Sequence, residues 1–196
     1  SLLEITSAYA GFLNDGIQIP PRGWKNMSIR SSGEVIIQEG KSEKKRIISK
    51  LAAQSLKYLM YNSVEEGTGK RAAVKGWQVA GKTGTSQSFR DAWFIGFTNK
   101  YIIGIWMGND DNQPLKDVNG GGLPASIWAE IMTKITKNHE DRTEITMVTS
   151  DQFDILKLYE NLPDTSRTYL FDKDRDPSGE GTSLIRGLIK ALLWGE

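Results

Sequence analysis

With 196 residues, 38% of them apolar, the chain can bury a core of its own, and a disordered polymer is excluded. Its 25 Lys plus Arg against 24 Asp plus Glu leave a formal charge of +1, so no global field draws it to nucleic acid or to an anionic membrane. It has no cysteine, which excludes disulfides, thiolate nucleophiles and thiolate zinc sites, and its single histidine, His139, sits in a polar run, 137–142, as a solvated bystander.

Leu2, Ile5, Tyr9 and Phe12 recur at helical spacing, and Asn14-Asp15-Gly16 supplies a stop, which predicts a first helix. The pattern begins at once, with no basic segment leading into an apolar run and no stretch long enough to span a bilayer. A cut chain is expected, with any membrane anchor outside it. After Pro20-Pro21, alternation from Trp24 to Gln38 around Ser31-Ser32-Gly33 predicts a two-stranded hairpin. The stretch from Lys41 to Lys50 holds five basic residues in ten but no interleaved aromatics, and reads as a hydrated loop rather than a nucleic-acid surface. Leu51, Ala52, Leu56, Leu59 and Met60 mark a second helix between Ile48 and Val64, which delivers the chain to the loop Glu66-Gly67-Thr68-Gly69.

Three strand-like segments follow, Gln78 to Ser88, Asp91 to Thr98 and Tyr101 to Met107; the short polar Asn99-Lys100 between the last two implies antiparallel neighbours. The Asp110-Asp111 pair stands in the turn-rich run 108–112, where carboxylates are ordinarily solvated, so no metal site and no cofactor is read from it. Gly120-Gly121-Gly122 then precedes Pro124, which suits the first turn of a helix with Ile127, Trp128, Ile131, Met132 and Ile135 on one stripe. Beyond Lys137 the pattern loosens. A short helix from Asp151 to Asn161, a polar linker from Asp172 to Thr182, and a terminal helix capped by Ser183 are expected. That last helix carries Leu184, Ile185, Leu188, Ile189, Leu192 and Leu193 on one face, read as docking on its own domain, with another protein or a membrane surface as the alternatives.

The chemistry gathers at Gly81-Lys82-Thr83-Gly84-Thr85, where two patterns compete. Gly76 to Thr83 satisfies the P-loop expression, but bulky Trp77, Gln78 and Val79 occupy positions whose amides would wrap phosphate. The run from Gly84 to Ser88 is also a poor helix start. The other pattern is a Lys-Thr-Gly strand lining an acyl-transfer site. Alternation puts Lys82 and Gly84 on one face and Thr83 and Thr85 on the other, unless the strand bends. Two hydroxyls can grip a carboxylate, an ammonium can hold negative charge or support proton transfer, and a glycine admits a substrate backbone closely.

Four blocks in order, Val79 to Gln87, Arg90 to Phe97, Trp106 to Asp111, and Gly121 to Ala125 with Ile127-Trp128, resemble the class A penicillin-binding proteins, and Leu3 to Ala10 and Glu66 to Gly69 fit the same family. The resemblance covers roughly residues 1–136 as the C-terminal part of a transpeptidase domain; 137–196 form a tail outside it. It implies a mixed α/β fold with a central antiparallel sheet flanked by helices, as in the serine β-lactamases. It also implies a serine-type D-alanyl-D-alanine transpeptidase that cross-links peptidoglycan stem peptides on the outer face of the bacterial cytoplasmic membrane, acylated by β-lactams at the same serine. Carried over to this chain, Lys82 serves electrostatics and proton relay, Thr83, Gly84 and Thr85 line the substrate side, and the Thr85 amide gives half of an oxyanion hole. The family's Ser-x-x-Lys and Ser-x-Asn motifs belong upstream of Leu3. Here only Ser42-Glu43-Lys44-Lys45 matches the first, at the wrong place in the order, and nothing matches the second. The chain alone is therefore expected to be inert. The N-terminal half of the domain is its expected partner, and self-association through exposed core surface is expected in its absence. A noncatalytic module for cell-wall assembly is the alternative.

Overall fold

The computed structural model of the chain describes residues 1–24, 26–38, 44–137 and 144–149. Helix α1 spans Leu2–Leu13 and starts on a reciprocal cap: Ser1 Oγ accepts the Glu4 amide while the Glu4 carboxylate binds the N-terminal ammonium at 2.6 Å. The predicted stop is conformational, since Asp15 and Gly16 adopt φ of 52° and 84°. At Gly16 a side chain is barred twice, by that φ and by the Ile48 carbonyl against which a Cβ would collide.

The hairpin pairs β1 (Asn26–Ser28) with β2 (Val35–Gln38), turning through Gly33 at φ 71°. Helix α2 (Lys50–Glu65) is capped by Ser49, whose hydroxyl accepts the Ala52 amide at 3.1 Å. After a 3-10 turn at Lys70–Ala72 come β3 (Ala80–Thr85), β4 (Asp91–Phe97) and β5 (Ile102–Gly108), antiparallel in the order β3-β4-β5. Helix α3 (Leu123–Thr136) follows, with Pro124 in its first turn.

Two details depart from the sequence reading. The strand expected to run to Ser88 stops at Thr85: Gln87–Phe89 form a 3-10 turn, and Ser88 and Phe89, at φ 61° and 54°, reverse the chain toward β4. On α3 the fully buried positions are Pro124, Ala125, Trp128 and Met132, with Thr136 4% exposed one turn further on, whereas Ile135, expected on the stripe, is 39% exposed. The helix is rotated because Trp128 dictates which side meets the sheet. The expected helices at 151–161 and 183–193, His139 and Ser42 lie outside the described residues.

Phe94 and Phe97 stand three apart on β4, so the two-residue period of a strand sends them to opposite faces of the sheet. Phe94 packs with Val64, Trp128 and Met132 on the α3 face; Phe97 packs with Met60, Ala80 and Ile145, against Tyr9 and Phe12 of α1, on the other. The sheet is thus a layer between helices, which is why β4 is buried from Phe94 onward. Gly96 lets α3 close in, and the Trp128 indole N–H is shared between the carbonyls of Gly96 (3.2 Å) and Ile103 (3.1 Å). Behind α1, the Lys57 ammonium, 1% exposed, is held by Asp15 at 2.7 Å.

Candidate active site

Among the described residues strand β3 pairs only with β4, which leaves its other edge without a strand beside it. Val79 and Gly81 meet the Phe94 side of the sheet while Ala80 meets the Phe97 side, and alternation then assigns Thr83 and Thr85 to the α3 face and Lys82 to the α1/α2 face. At an edge the two sets can still meet. Lys82 curls around it, and its Nζ donates to the Thr83 carbonyl at 3.2 Å and to Thr83 Oγ1 at 3.4 Å. Lys82, Thr83 and Thr85 accordingly line one cavity of about 760 Å³, together with Thr68, Arg71, Asn119 and Ser126. Burial lowers the Lys82 pKa from its usual 10.5, because an ammonium loses hydration there.

Gly84 does not line this cavity. The backbone that approaches it is the chain's own: Gly120 lies so close that a Cβ there would strike Gly84 N and O and the Trp93 carbonyl. That contact fixes the loop before α3 as a wall of the cavity. It also brings the Gly120 amide to Thr85 Oγ1 at 3.0 Å. Thr83 Oγ1 has a similar neighbour, Thr68 Oγ1 at 2.8 Å.

A hydroxyl has one proton and two acceptor positions. Thr85 Oγ1 accepts from Gly120 and so keeps its proton for the cavity, whereas Thr83 Oγ1 accepts from Lys82 and shares one further proton with Thr68 Oγ1, which either hydroxyl can supply. With Arg71 and Lys82 against Asp117 among the lining charges, the cavity suits an anion that accepts two hydrogen bonds, such as a carboxylate.

The three side chains singled out from the sequence, Lys82, Thr83 and Thr85, are brought together. The same strand geometry removes the P-loop reading, since Gly81-Lys82-Thr83 pairs in register with Gly96, Ile95 and Phe94 and opens no helix. Thr68, Arg71 and Gly120 were not marked for chemistry by their local sequence. Their signal in the sequence is the loop Glu66 to Gly69, which fits the family resemblance, and the glycine run 120–122 ahead of α3. Among the described residues no group of acidic or His side chains could hold a metal, and no helix is long and apolar enough to cross a membrane.

Residues 1–133 match the model of a family described as the penicillin binding protein transpeptidase domain. Penicillin-binding protein 1A of Aquifex aeolicus is 35% identical over 136 residues, which is 69% of this chain and 18% of that protein. Penicillin-binding protein 1A of Clostridium acetobutylicum is 34% identical over 139 residues, 68% of this chain and 16% of that one. The chain therefore spans less than a fifth of the length of these relatives. Among solved structures, penicillin-binding protein 1A from Haemophilus influenzae superposes with a TM-score of 0.62 at 22% identity, over 73% of this chain and 27% of that one. The D,D-transpeptidase domain of a peptidoglycan glycosyltransferase from Eggerthella lenta gives 0.60 at 23%, over 71% and 33%. At such identities the structures speak to fold alone, and the fold is the mixed α/β, β-lactamase-like one that the four sequence blocks imply.

Proposed function

The chain belongs to the transpeptidase-domain family of the class A penicillin-binding proteins, and on that premise we propose that β3 is the substrate-side wall of a serine-type D-alanyl-D-alanine transpeptidase site that cross-links peptidoglycan stem peptides. The observation that carries this is the pair of hydroxyls on an edge strand, Thr83 and Thr85, each accepting a hydrogen bond from its own chain and both lining one cavity with the Lys82 ammonium. In this reading Thr83 and Thr85 bind the C-terminal carboxylate of the donor peptide, or that of a β-lactam. The Thr85 amide polarises the carbonyl under attack. Lys82, its ammonium made easier to deprotonate by burial, neutralises charge and relays protons.

The attacking serine is not supplied by these residues. Ser42 heads the chain's one Ser-x-x-Lys run, and there is no Ser-x-Asn, so the chain by itself binds but does not turn over. Residues 1–136 form the transpeptidase part, the N-terminal half of the domain is the partner that brings the nucleophile, and the site works on the periplasmic side of the cytoplasmic membrane. The other reading, a noncatalytic module, draws on the exposed apolar hairpin, with Val35 at 50% and Ile36 at 58% exposure.

Two measurements on the 196-residue chain test the proposal. Intact-protein mass spectrometry after incubation with a penicillin should show no adduct; an adduct on any serine, Ser42 included, overturns the inertness. Titration of the ¹⁵N-labelled chain with N-acetyl-D-alanyl-D-alanine should shift the amides of Thr83, Thr85 and Gly120. A folded chain whose shifts are absent or lie elsewhere overturns the site and favours the noncatalytic module.

A further inference from the structure

Resting on that carboxylate-binding reading, we propose that Thr68 is a positioning residue: its hydroxyl donates to Thr83 Oγ1 and thereby fixes the Thr83 hydroxyl as a hydrogen-bond donor to the substrate carboxylate. The two oxygens lie 2.8 Å apart, and one proton must lie between them. If Thr83 supplied that proton it would have none for an anion. If Thr68 supplies it, the Thr83 oxygen accepts from both Thr68 and Lys82, both its acceptor positions are filled, and its own proton has only the cavity to turn to. An anion in the cavity selects the second arrangement, because a charge-assisted bond is stronger than a neutral one.

The surroundings hold Thr68 in place for this task. The Gly69 amide donates to the Ser63 carbonyl at 2.9 Å, and the Gly69 carbonyl accepts the Ala72 amide at 2.8 Å, tying the loop to the end of α2 and to the 3-10 turn. Gly121 packs against the Thr68 carbonyl so closely that a Cβ there would collide with it. Thr85 shows the same logic with less freedom. Its oxygen accepts from the Gly120 amide, which can only donate, so the polarity of Thr85 is set by backbone while that of Thr83 depends on a second hydroxyl.

The test titrates the ¹⁵N-labelled 196-residue chain with N-acetyl-D-alanyl-D-alanine and with the same peptide as its C-terminal amide, in the parent chain and in Thr68→Val, Thr68→Ser and Thr83→Val. Thr68→Val is close to isosteric, and its amide spectrum reports directly whether the fold is kept; Thr68→Ser keeps the donor. The expected result is that Thr68→Val weakens binding of the acid about fivefold, the scale of one hydrogen bond between neutral groups. Thr68→Ser should restore that binding, and affinity for the amide should stay as it was. Equal weakening of acid and amide in a folded Thr68→Val chain would make Thr68 a packing residue and overturn the inference. So would an unchanged affinity for the acid in Thr68→Val alongside a loss in Thr83→Val. If Thr83→Val itself leaves acid binding unchanged, the carboxylate reading of the strand fails first, and the role of Thr68 goes with it.

Discussion

Lys82 keeps its charge at a cost, and the sign of that cost can be measured. Its pKa in the folded chain is lowered by burial from the usual 10.5, so between the two values the unfolded chain binds more protons than the folded one. Stability from this residue therefore rises with pH across that window, and below it the ammonium opposes folding. Lys82→Met should be more stable than the parent chain at neutral pH, with the difference shrinking as pH approaches 10.5. Urea unfolding of both chains at pH 7 and pH 10 checks this, and a difference that grows with pH would contradict it. A residue tolerated against stability in a cavity wall is what a chemical role for Lys82 entails.

At the scale of elements, the position of β3 depends on how α3 docks. Trp128 is fully buried, packs edge-on to Phe94 with ring centroids 5.5 Å apart, and joins β4 to β5 through two carbonyls. Phenylalanine at 128 keeps most of the packing but removes the shared N–H, so Trp128→Phe should cost about 1 kcal/mol, and Trp128→Ala about 3–5 kcal/mol. Denaturant midpoints measure both, and a loss near zero for Trp128→Phe would show that the indole N–H does not matter to the docking. Most elements were legible from the sequence, because period and punctuation are local: Asn14-Asp15-Gly16 closed α1, and Gly33 turned the hairpin. The end of β3 was not, since Ser86 to Phe89 carry ordinary side chains and only the pairing with β4 makes the chain reverse there. The burial of Ile145, 4% exposed, was not legible either, because it comes from packing with Met60, Ala80 and Phe97 and leaves no local period.

For the molecule as a whole, the sheet is well covered and the hairpin is not. Trp24, Met27, Val35, Ile36 and Ile37 are 54, 55, 50, 58 and 44% exposed, apolar surface on both faces of a two-stranded ribbon and just before it, with no third strand among the described residues. Such surface beside unpaired strand edges favours association. Sedimentation velocity should show mass rising with concentration, and Ile36→Lys should suppress the rise without altering the far-UV circular dichroism; a chain that stays monomeric at high concentration removes the hairpin from consideration as a contact surface.

The sequence by itself determined the succession of helices and strands, the family blocks, and the identity of Lys82, Thr83 and Thr85, because hydrophobic period, capping and short motifs are encoded between near neighbours. Only the tertiary structure decided how those three side chains converge. Lys82 reaches Thr83 around a strand edge, Thr68 meets Thr83 from 15 residues away, and Gly120 meets Thr85 from 35. The physical reason is that hydroxyl polarity is set by whichever donor stands behind the oxygen, and here those donors come from a neighbouring side chain and from two loops that β3 meets only once the sheet is packed.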